Sequence, residues 1–72
     1  PSPFEHTLLV RFAEAGDYQL SLLNSVGQLA LTQTVQQADA ASLPVAALPA
    51  GVYELLVESA RGRQVLRVVK AR

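Results

Sequence analysis

Along almost the whole chain the apolar residues recur at every second position, and no stretch sustains the three-to-four-residue spacing of an amphipathic helix. A period of two sends alternate side chains to opposite faces of an extended strand, so the chain is constrained to build half-buried β-sheet. Phe4, His6, Leu8, Val10 and Phe12 share one face of a first strand, with Glu5, Thr7, Leu9 and Arg11 on the other, and Gly16-Asp17 marks a turn after it. A second strand from Tyr18 to Asn24 points Tyr18, Leu20 and Leu22 one way and Gln19, Ser21 and Leu23 the other. Asn24-Ser25-Val26-Gly27 suits a type I turn whose glycine takes a positive φ. Gln28 to Gln36 returns with Leu29, Leu31 and Val35 facing in.

Gln37 to Ser42 is small and polar and reads as a crossing segment, and the Ala/Gln-rich stretch from Gln36 to Ala41 is a loop candidate. Leu43, Val45 and Leu48 then anchor a short strand interrupted by Pro44, which confines it to an edge because proline cannot donate to the ladder. Leu48-Pro49-Ala50-Gly51 predicts a second type I turn, launching a strand with Tyr53, Leu55 and Val57 on one face and Val52, Glu54, Leu56 and Glu58 on the other. The last segment, Arg63 to Lys70, has apolar residues on both parities. That pattern fits a bulge or a strand covered on both sides. No internal repeat is assigned. Six or seven short antiparallel strands without a helix predict an all-β fold, a small immunoglobulin-like β-sandwich.

Seventy-two residues form a single domain, 1–72, since a chain this short buries only about 60% of its unfolded surface. Half the residues are hydrophobic, which argues against disorder, and no apolar run approaches the ~20 residues of a membrane-spanning helix. Direct membrane insertion is therefore not expected. With no cysteine there is neither a disulfide framework nor a thiolate metal site. Pro1-Ser2-Pro3-Phe4 has no basic or apolar leader character and reads as an internal boundary, with any export signal expected upstream.

The net charge is zero but unevenly placed. Five of the six basic residues, Arg61, Arg63, Arg67, Lys70 and Arg72, lie at the C-terminal end, and all six acidic residues precede Gly62. The basic end carries no aromatic residue for base stacking, which argues against nucleic acid as a partner. His6 is the only histidine, with no second histidine or cysteine to complete a metal site. The serines have no nucleophile elbow, the four glycines form no phosphate loop, and Glu54 and Glu58 share the mixed face of one strand without a cleft. No cofactor, metal or catalytic residue is assigned, and the chain is expected not to be an enzyme. Tyr53, just after a turn, suits a tyrosine corner, its ring in the core and its hydroxyl on a backbone group.

Across its whole length the chain resembles the type A C-terminal sorting domain of the type IX (Por) secretion system, found in many Bacteroidota. The resemblance is carried by Pro1-Ser2-Pro3-Phe4, by Tyr18-x-Leu20-x-Leu22-x-Asn24-x-x-Gly27-Gln28-Leu29, by Leu48-Pro49-Ala50-Gly51-Val52-Tyr53, and by Arg67-Val68-Val69-Lys70-Ala71-Arg72. It departs from that family in Ser2, where asparagine is usual, and in Ala71-Arg72 following the lysine. The resemblance implies a sorting signal that directs an attached cargo through the periplasm and the type IX outer-membrane translocon to the cell surface or beyond. It further implies an outer-membrane shuttle protein as partner and a sortase-like peptidase that removes the domain afterwards. It assigns recognition to Gly51, Tyr53, Arg67, Val68, Val69, Lys70 and Arg72. The residues alone suggest that a free basic strand is offered to a partner by backbone pairing. The alternative is a fibronectin-type-III-like accessory module that binds carbohydrate or protein or spaces domains; the short length and lack of tryptophan argue against it.

Overall fold

The computed structural model describes residues 6–71. Four strands form one antiparallel sheet: β1 Thr7–Leu23, β2 Leu29–Pro44, β3 Gly51–Ser59 and β4 Gly62–Lys70, in the order β2-β1-β3-β4. The all-β, antiparallel expectation holds, and there is no helix among the described residues. The strand count does not match the anticipated six or seven, because two places read as breaks are continuous strand. Gly16-Asp17 lies within β1, and the segment from Gln37 to Ser42 lies within β2. Phe4 and Glu5, expected to begin the first strand, fall outside the described residues.

Both segments carry turn or crossing chemistry because the long hairpin bends there. A straight strand of 17 residues would run about 56 Å at ~3.3 Å per residue, yet the longest dimension of the fold is 31 Å. The register records the bend. Between Arg11↔Ala40 and Gly16↔Ala38, β1 advances five residues while β2 advances two; between Gly16 and Tyr18, β2 takes the extra residue. Gln37 sits at that second irregularity with φ +48°, and its N–H donates to Asp17 Oδ1 at 2.9 Å. Phe12 and Tyr18, six residues apart on one strand, stack with centroids 3.8 Å apart and planes 11° from parallel. The Tyr18 hydroxyl donates to Glu14 O at 2.7 Å, and the Arg61 guanidinium pairs with the Glu14 carboxylate, joining the bend to the β3–β4 turn.

Folding the hairpin over places its far end against the inner face of the rest of the sheet. Val10, Ala41, Leu43 and Val45 join Leu20, Leu22, Tyr53, Leu55, Val57 and Val68 in one buried cluster. Full burial of a leucine contributes roughly 2 kcal/mol relative to exposure, and the closure buries Leu43 together with Leu20, Leu22 and Leu55. The inward parities on β1 and β3 are those the sequence predicts. Leu29 is an exception at 59% exposed: the bulge between Leu22 and Leu23 gives β2 an extra residue at Ala30, turning Leu29 outward beside Leu23.

The Asn24–Gly27 turn forms as predicted. Gly27 N–H donates to Asn24 O at 3.0 Å, the Asn24 Oδ1 accepts from Val26 N and Gln28 N, and Gly27 takes φ +86°. The second turn lies earlier than expected, closed by Leu48 N–H donating to Val45 O, so that Val45 leaves the strand and Pro44 ends it. Pro44 is indeed on an edge strand. His6, placed on the apolar parity by sequence, is exposed before β1, its carbonyl accepting from Val45 N–H.

A short repeat emerges that the sequence reading did not assign. Ala15-Gly16-x-Tyr18-x-Leu20 and Ala50-Gly51-x-Tyr53-x-Leu55 each put a tyrosine hydroxyl on the carbonyl four residues earlier, Tyr18 on Glu14 O and Tyr53 on Pro49 O at 2.6 Å. The register Leu20↔Val57 and Leu22↔Leu55 relates the two copies by a local two-fold through the β1–β3 pair. Each tyrosine closes one end of that central pair.

Candidate recognition surface

β4 closes one side of the sheet, so one of its two edges has no neighbouring strand among the described residues. Its pairing with β3 is unbroken from Ser59↔Gly62 to Gly51↔Lys70, which excludes the bulge suggested by its mixed parity. The strand is not covered on both sides either. Val68 and Lys70 point into the core, whereas Val65 is 55% and Val69 40% exposed on the opposite face with Arg63 and Arg67.

The outer face of the β3–β4 pair is ordered by register. Val52 lies opposite Val69, Glu54 opposite Arg67, Leu56 opposite Val65 and Glu58 opposite Arg63, an alternation of aliphatic and opposite-charge pairs. Such cross-strand pairs stabilise an antiparallel ribbon by roughly 0.2–1 kcal/mol each. Neither Arg63 nor Arg67 closes an ion pair among the described residues. Both guanidinium groups remain available on an open face.

The predicted site residues divide between this face and the core beneath it. Arg67 and Val69 are exposed together. Tyr53 and Val68 are buried partners in register, and the Tyr53 hydroxyl is bound to Pro49 O, as a tyrosine corner requires. Gly51, exposed with φ +151°, faces Lys70 across the ribbon. Lys70 is 1% exposed, and its Nζ has no hydrogen-bond partner among the described residues. Its ammonium is therefore not presented on the outer surface. Arg72 lies outside the described residues. Among the described residues no three histidine, cysteine, aspartate or glutamate side chains gather as metal ligands would.

Glu14 is the carboxylate with a clear electrostatic perturbation. The hydrogen bond from Arg61, and then its positive charge, hold the Glu14 pKa below the usual value, and the same contact raises Arg61. Both side chains are solvent-exposed, so the pair braces the bend without forming a site.

Residues 1–71 match the family described as the secretion system C-terminal sorting domain, that of type IX secretion. The chain belongs to this family. No curated protein matches it as a relative. The sorting domain is thus a C-terminal type IX secretion signal, and membership implies interaction with that secretion system and export toward the outer-membrane surface or extracellular space. The fibronectin-like alternative has no comparable support. Within the sorting domain, sequence reasoning found the basic strand but missed the complement that orders it. That signal was present as Val52-x-Glu54-x-Leu56-x-Glu58 facing Arg63-x-Val65-x-Arg67-x-Val69.

Proposed function

We propose that this domain directs an attached cargo through the type IX outer-membrane translocon to the cell surface, and that β4 is the element read. The reading is supported above all by the unpaired edge of β4, whose outer face carries Arg63, Val65, Arg67 and Val69 uncovered. An edge strand offers unpaired backbone groups to any partner that can add a strand, and its side chains then set register and choice. An outer-membrane shuttle protein is the first partner expected, and a sortase-like peptidase removes the domain after export.

The recognition residues divide their labour in this reading. Arg67 and Val69, with Arg72 beyond the described strand, make contact; Gly51, Tyr53, Val68 and Lys70 hold β4 in place from β3 and the core. Deleting residues 68–72 from a secreted fusion should leave the cargo in the periplasm. Because Val68 is part of the core, the paired test is Arg67→Ser with Val69→Thr, which spares every buried side chain. Undiminished export of that double variant together with undiminished export of the deletion sinks the assignment of β4.

A further inference from the structure

The open edge of β4 is chemically selective. Its outward side chains, Arg63, Val65, Arg67 and Val69, already meet one complementary strand, since β3 sets Glu58, Leu56, Glu54 and Val52 against them in register. A strand added on the other side of β4 meets the same four side chains, because the outward residues of an edge strand lie between both neighbours. Among the described residues neither guanidinium closes an ion pair with the glutamate opposite it on β3, so each can reach a carboxylate on a strand added at the free side. The inward neighbour of such a strand is also apolar: Leu66, though it faces the core side, is 40% exposed at this edge.

A second copy of the chain does not supply the complement. Antiparallel pairing of two β4 strands with Val65 opposite Val65 sets Arg63 against Arg67 twice, and like charges directly opposite are destabilising. The other edge strand, β2, offers Thr32 and Thr34 opposite Ser21 and Gln19, and its one carboxylate, Asp39, stands alone at the bend instead of alternating with aliphatic residues. The acidic strand β3 is already paired on both sides.

We propose that the free edge of β4 is completed by an extended segment of a different protein whose outward side chains alternate acidic and aliphatic, as Val52, Glu54, Leu56 and Glu58 do on β3. This deepens, and rests on, the reading of β4 as the recognised strand. The test uses the isotope-labelled 72-residue domain titrated with a blocked peptide of residues 51–59, and with the same peptide carrying Glu54→Lys and Glu58→Lys. Amide shifts should concentrate in residues 63–70, with the acidic peptide binding about ten-fold more tightly, as two charge pairs gained against two repulsions imply. The folded variant Arg63→Gln/Arg67→Gln, its fold checked by amide dispersion, should bind both peptides alike.

Equal affinities for wild type, shifts centred on β2, or no binding by either peptide at millimolar concentration overturn the proposal. Export of a reporter fused to the same domain separates this from the sorting reading. Export that depends on β4 without any peptide preference refutes the acidic-strand partner and leaves the sorting function standing. Peptide preference without export supports the partner chemistry and refutes the sorting function.

Discussion

Lys70 lies almost wholly inside the fold, opposite Gly51 on the sheet edge, and its ammonium finds no acceptor among the described residues. Leaving a buried polar group unsatisfied costs roughly 1–3 kcal/mol, and more when it is charged. Lys70→Met keeps an unbranched chain of similar length while removing the charge, so it should stabilise the domain by about 2 kcal/mol. For a domain of this size that corresponds to a rise in melting midpoint of roughly 8–16 °C. Thermal and urea unfolding followed by circular dichroism at neutral pH would measure it. Lys70→Ala is the necessary companion, since it also removes the alkyl stem and leaves a cavity, offsetting most of the gain. A midpoint for Lys70→Met that is unchanged or lowered would refute the reasoning, because the ammonium must then be solvated or paired in solution. If the prediction holds, Lys70 lowers stability at the end of the strand proposed to be read.

Tyr53→Phe should lower stability by about 1–2 kcal/mol by orphaning the Pro49 carbonyl, whereas Tyr18→Phe, with its bond to Glu14 O exposed and its ring stack intact, should cost less than about 1 kcal/mol; equal losses in urea unfolding would contradict this ranking. Gly51→Ala should destabilise by about 1 kcal/mol or more, although its Cβ would meet nothing within 4 Å, because φ +151° strains any side-chain-bearing residue. Glu14 has its pKa depressed in the fold, so its pairing with Arg61 contributes above the ordinary carboxylate value and is lost as pH falls through the lowered one. The stability difference between wild type and Glu14→Gln should therefore vanish in acid and shrink with salt; a difference that persists in strong acid would exclude the pair as its source.

Local chemistry makes much of the fold legible in the sequence. Asn24 and Gly27 specify their turn through side-chain acceptors and a positive φ, and the alternation Tyr53, Leu55, Val57 names the buried face of β3 directly. The bend in β1 was not legible as such. Gly16-Asp17 carries turn chemistry, but whether a chain turns or bends there depends on a partner, here Gln37 donating to Asp17 across the sheet. Leu29 was misplaced for a related reason, since a one-residue bulge reverses every side chain beyond it and leaves no mark in composition.

The surface was legible in part. A basic cluster could be seen at once, but β4 has aliphatic residues on both parities, and only the register with β3 decides that Val68 and Lys70 are inside while Val65, Arg67 and Val69 are outside. The family motif pointed to Lys70 without revealing its burial. Gly51 and Tyr53 likewise act as framework, one lying opposite that lysine and the other packing on Val68.

The most direct experiment is to fuse residues 1–72 to the C-terminus of a periplasmic reporter in a type IX-competent bacterium and locate the reporter by fractionation and surface labelling. Wild-type fusion should reach the cell surface or medium, with the Arg67→Ser/Val69→Thr fusion, equally folded, retained in the periplasm. A wild-type fusion that stays in the periplasm, in cells that export their own substrates normally, would contradict the sorting function itself.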